Sequence, residues 1–179
     1  MKKYTTNKNS KWIYFYKILL ITLIIYFIVF VGYIYYKRFD ILNTLLIVKL
    51  FFGMLIFGWF LIFGLPLFLL YFNHRKYSKN VNFEILGDNF LYNKNNKITN
   101  FSINDINEIE LWLTPPAYED RIDWQFFGKY HFTKIIMNSG EEIFISCLVF
   151  DKTKEIFQEK LINRKKKFFP FMKENKNLN

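Results

Sequence analysis

The chain has 179 residues, 52% of them hydrophobic and 22% aromatic, with 25 Lys and Arg against 15 Asp and Glu for a formal net charge of +10. That length excludes a large multidomain enzyme, and the aromatic share excludes intrinsic disorder. The single cysteine, Cys147, excludes an intramolecular disulfide framework and a Cys-rich zinc site.

Residues 1–17 form a basic leader with Lys2, Lys3, Lys8, Lys11 and Lys17. From Ile18 to Tyr36 no residue is charged, and tyrosines bracket the run at Tyr14, Tyr16, Tyr33, Tyr35 and Tyr36. A helix of that length covers roughly 28 Å, which predicts a first transmembrane helix over 18–36. The run is too long for a signal peptide, and no small-residue cleavage site follows it. A second uncharged run, 50–72, predicts a second transmembrane helix, with Pro66 read as a bend. Residues 37–49 become a short extracytoplasmic connector. Basic residues gather in the leader and at Arg75, Lys76 and Lys79, so the expected placement is the inner (plasma) membrane, multi-pass, with both termini cytoplasmic.

Charge then divides the rest. Residues 80–160 hold eight basic and thirteen acidic residues, whereas 161–179 hold six basic and one acidic. The body is acidic, which argues against a nucleic-acid partner, since such a partner needs a positive stripe on the folded face.

Within 80–163 the apolar pattern shortens to alternation. Phe83 and Ile85, Phe90 to Tyr92, Phe101 and Ile103, Ile109 to Leu113, Phe132 to Met137, and Ile143 to Cys147 read as six strands. Turns fall at Gly87-Asp88, Asn93 to Lys97 and Asn138-Ser139-Gly140. No connection is long enough for a crossover helix, so antiparallel pairing is expected. Asp151 caps an expected helix to about Asn163, with Phe157 and Leu161 on one face.

The stretch Val81 to Leu161 resembles the bacterial pleckstrin-homology-like (PH-like) domains that follow two membrane spans. The resemblance rests on Asn89-Phe90-Leu91-Tyr92, on Ile106-Asn107-Glu108-Ile109-Glu110, on the run Asn138 to Ser146, and on the helix through Leu161. It implies a fold of class membrane α+β: an N-terminal two-helix transmembrane hairpin, then an antiparallel β roll or barrel with a C-terminal helix. Such rolls usually have seven strands; a seventh would lie near Trp124 to Phe127, or the roll is incomplete. Phosphoinositide-binding members use a basic loop between their first two strands. Here that loop is taken as Leu86-Gly87-Asp88-Asn89, which is short and acidic, so the resemblance implies a scaffold and no headgroup site.

No catalytic or metal constellation is expected, and no cofactor. His74 reads as an interfacial residue, His131 as a surface or half-buried strand residue, and Cys147 as a small core residue. Glu119, Asp120 and Asp123 read as a solvated acidic loop. Two regions merit a functional reading. The tail 164–179 opens with Arg164, Lys165, Lys166, Lys167, Phe168 and Phe169, a pattern that predicts contact with an anionic membrane surface. Tyr118, Trp124, Phe126 and Phe127 beside the acids predict a partner contact. The expected function is a non-enzymatic integral membrane protein presenting its domain for protein–protein interaction or self-association. Its expected partners are the lipid bilayer and an unknown protein or a homo-oligomer. The alternative is a membrane-embedded accessory or immunity-type protein, a small transporter or channel subunit acting through its helices.

Overall fold

The computed structural model describes residues 2–5, separate positions between 16 and 58, and residues 60–123 and 127–173. The chain divides into two compact units, Trp12–Leu69 and the combination of Met1–Lys11 with Leu70–Asn179. In the first unit the described helical positions include Leu20, Ile21, Phe27 and Ile28, whose side chains are exposed.

The second unit carries the β-structure. Strands β1 (Lys2–Thr5), β2 (Val81–Leu86), β3 (Asn89–Lys94) and β4 (Lys97–Ser102) form one antiparallel sheet in that order. The second sheet has the order β7-β6-β5-β8, built from β5 (Ile106–Leu113), β6 (Phe132–Met137), β7 (Glu142–Ser146) and β8 (Ile162–Lys166). The β5–β6 and β6–β7 pairs are antiparallel and β5–β8 is parallel. Helix α1 spans Leu65–Ser78 after a π turn at Phe60–Gly64; α2 (Pro115–Tyr118) and α3 (Thr153–Ile156) are single turns.

Turn chemistry sets the hairpins. Asn95 and Asn96, with φ of 51° and 69°, make the two-residue β3–β4 connection, and short polar side chains tolerate that left-handed conformation best after glycine. Gly140 at φ 84° does the same before β7. The alternation in β5 is broken between Ile106 and Glu108 by a bulge, so Ile106 and Ile109, three apart, both reach the core. That core is aromatic. Phe90 lies 5.9 Å from Phe83, 5.4 Å from Phe101 and 5.1 Å from Phe157, centroid to centroid. Each such pair adds about 0.5–1.5 kcal/mol beyond the area it buries.

Several expectations need correction. Among the described residues no helix is long and apolar enough to cross a membrane, so the two-helix transmembrane hairpin and the multi-pass inner-membrane placement fail. Much of 18–36 and 37–49 lies outside the described residues. Of 50–72, the described positions Phe52, Gly53, Phe57 and Gly58 are helical, Phe60–Gly64 is the π turn, and α1 over Leu65–Ser78 has 14 residues and ends in polar residues from Asn73 to Ser78. Two strands lie beyond the expected six: β8, and β1 from the segment read as a leader. Its Lys3 pairs with Glu84 at 2.6 Å and its Tyr4 packs edge-on against Phe150 at 5.0 Å. The Leu86–Asn89 loop therefore joins the second and third strands, not the first and second. The C-terminal helix is also replaced. Phe157 leaves α3 in extended conformation (φ −97°, ψ 145°) to enter the core, and Ile162 starts β8 opposite Ile109. Burial of Phe157 and pairing along β5 outweigh local helix propensity.

Candidate interaction site

The site is the side of β5 away from β6 and the turn that follows the strand. Thr114 is extended, and Pro115 and Pro116 then start α2, because proline suits the first turn of a helix. Asp120 ends the turn in left-handed conformation at φ 51°, and the Arg121 N–H donates back to the Pro116 carbonyl at 2.9 Å. This geometry sets Glu119 and Asp120 beside the end of β5.

Strand β8 lies in that angle. Its register pairs Ile109 with Ile162, Glu110 with Asn163, Leu111 with Arg164, Trp112 with Lys165 and Leu113 with Lys166. The Lys167 N–H extends the ladder by donating to the Leu113 carbonyl at 2.8 Å. Alternation then divides the four cations. Arg164 turns to α2 and donates to both carboxylate oxygens of Asp120 at 3.2–3.3 Å, to the Ala117 carbonyl at 3.0 Å and to the Tyr118 carbonyl. Its guanidinium also sits 5.3 Å from the Tyr118 ring centroid. Lys166 pairs with Glu119, and Lys154 lies 3.8 Å from Asp120. The hydrogen bonds from Arg164 hold the Asp120 carboxyl below its usual range, and the bond from Lys166 does so for Glu119. On the other face Lys167 stands over Trp112 at 5.4 Å and Phe132 at 5.9 Å, with Nζ donating to the Phe171 carbonyl at 3.1 Å. Burial lowers the Lys167 pKa, and nearby Lys173 lowers it further. Asn163 donates to Glu108 at 2.6 Å.

Past β8 the chain is held by α1. Asn73 donates to the Met172 carbonyl at 3.2 Å and accepts from the Met172 N–H at 2.8 Å. His74, fully buried, places Nε2 3.0 Å from the Pro170 carbonyl and Nδ1 2.9 Å from Ser146 Oγ. A carbonyl only accepts, so Nε2 carries the proton; Nδ1 accepts from the Ser146 hydroxyl, whose oxygen accepts the Leu148 N–H at 3.1 Å. Buried Tyr130, its phenol pKa pushed up by desolvation, packs 5.6 Å from the imidazole.

Of the expected membrane-contact residues, Arg164 and Lys166 are paired with acids, Lys167 and Phe169 are half-buried, and Lys165 faces Trp112 across the ladder. Phe168 is exposed, at 61%, edge-on to Phe169. The 164–167 segment is thus a strand and its end, not a free tail. Of the expected partner-contact residues, Tyr118 is described and stacks on Arg164. Trp124 and Phe126 lie outside the described residues, as does the side chain of Phe127, which starts the turn Phe127–Lys129. Asp123 accepts from the Gly128 N–H at 2.6 Å and so holds that turn. Cys147 is buried as its alternation implied, whereas His74 is not interfacial. Sequence reasoning missed Asn73, His74 and Ser146, and it missed the pairing of Glu119 and Asp120 with β8. The spacing Ile162-x-Arg164-x-Lys166, one face of a strand, is the signal that could have found the last.

The family model for the PH domain matches residues 3–157, from β1 through α3. The chain belongs to the PH domain family. No curated protein and no solved structure matches it. The PH domain so defined is a module of a family that binds lipids or proteins, and β8 with the segment after it lies beyond the matched PH region.

Proposed function

We propose that this chain is a non-enzymatic interaction module whose PH domain recognises protein, either another protein or a second copy of itself, in preference to an anionic headgroup. One observation carries the reading: the cations that would meet a phosphate are engaged inside the domain, Arg164 with Asp120, Lys166 with Glu119 and Lys167 with aromatic rings. The β5 edge that receives them takes an extended, basic segment by main-chain pairing, a mode that suits protein ligands. Flotation of the intact protein on phosphatidylserine-containing and pure phosphatidylcholine vesicles tests this. Equal partition is the expected result. A strong preference for the anionic vesicles, lost in Lys165→Glu, overturns the reading.

A further inference from the structure

We propose that the C-terminal arm, residues 159–172, is exchanged between two copies of this chain, each arm docking as β8 on the β5 edge and acidic turn of the other. The inference rests on the protein-binding reading above and names the partner as a second copy. Four observations support it.

The PH body is matched as a unit by residues 3–157, so the arm is an addition to a domain already complete in its seven strands. The arm's principal anchors reach outward: Asn163 to Glu108, Arg164 to Asp120 and α2, Lys166 to Glu119, Lys167 N–H to Leu113, Pro170 to His74 and Met172 to Asn73. An arm from a second chain reproduces every one of these, so exchange gives up only the bonds of the turn that links arm to body, such as Leu161 N–H to the Gln158 carbonyl at 3.0 Å. The connection from the body is short and mostly open. Phe157 and Gln158 are extended, followed by one 3₁₀ turn over Glu159–Leu161, so reorienting two or three residues redirects the arm. Finally, the charges are complementary within one sequence. The segment 80–160 has a five-residue excess of acids and 161–179 a five-residue excess of bases, so two copies attract arm to body reciprocally and the pair closes with two-fold symmetry.

The test uses the intact chain. Glu110 and Asn163 are Cα partners across β5 and β8, so cysteines there lie at the spacing a disulfide needs. Two differently tagged chains, one Glu110→Cys and one Asn163→Cys, are mixed and oxidised. Exchange predicts a mixed disulfide dimer exceeding either same-variant dimer several-fold and growing with protein concentration. If the double variant in one chain closes its internal disulfide at every concentration, while the mixture gives no excess of mixed dimer, exchange is overturned. A second pair guards against a fault of the cysteine variants. Groove variant E119K/D120K mixed with arm variant R164E/K166E holds two arm-and-groove pairs of opposite charge, one wild-type and one reversed, so exchange predicts association in the mixture above that of either variant alone. Equal sedimentation of the three samples contradicts it. Loss of exchange leaves the vesicle result unchanged, and an anionic-vesicle preference leaves the mixed disulfide unchanged, so the two readings fail separately.

Discussion

Two buried side-chain pairs fix how the elements meet. Thr133 and Thr153 hydroxyls lie 2.7 Å apart with both residues almost fully buried, joining β6 to α3. Thr153→Val leaves one hydroxyl unpaired and should destabilise the domain by about 1–2 kcal/mol, whereas T133V/T153V should recover much of the loss. Denaturant unfolding of the three variants measures it; simple additivity of the single losses contradicts the pairing. His74 spans three segments, α1, β7 and the arm, through Ser146 and Pro170. His74→Ala removes both bonds and leaves a cavity, at a cost of about 2–4 kcal/mol. An unchanged unfolding midpoint would contradict that assignment. The role of His74 could not be read from the sequence, because a histidine next to Arg75 and Lys76 looks solvated until Ser146 and Pro170, far along the chain, are folded onto it.

At the scale of elements, the β5–β8 pair depends on charge. The Asp120 and Glu119 carboxyls are held below their ordinary values of 3.8 and 4.5, chiefly by the hydrogen bonds from Arg164 and Lys166. Folded values below unfolded ones mean that the contribution of these pairs is fully present above the ordinary range. It is lost as pH falls through the depressed values. Amide shifts of Arg164 to Lys167 should therefore move toward coil values below about pH 4, while those of Thr133 to Ile135 hold. Coincident movement of both sets would contradict it. Gly140, at φ 84°, should tolerate alanine poorly, with Gly140→Ala costing about 1 kcal/mol in thermal or denaturant unfolding. Strands β2 to β7 were legible because each alternates apolar and polar residues between turn signals that act locally. Strand β1 was not, because Lys2-Lys3-Tyr4-Thr5 offers one apolar position and its partner β2 lies beyond the whole first unit. Strand β8 was not, because the acids that make its cations tolerable beside β5 come from a loop more than forty positions earlier.

At the scale of the molecule, membership of the PH domain family and the pairing of β8 decide how the positive charge is used. A formal charge of +10 suggests an anionic partner, yet the cations of 164–167 are largely engaged by the domain itself, and Phe168 just after them is exposed. The residue block read as a tail was legible as basic, but its fate depends on long-range pairing that no local pattern encodes. Amide hydrogen exchange along residues 162–167 in the intact protein bears on this most directly. With β8 docked on β5, the Lys167 amide, which donates to Leu113, and the amides paired along the ladder exchange as slowly as those of β6. Exchange of these amides at the rate of an unstructured peptide would show a free basic tail and contradict the neutralised arm.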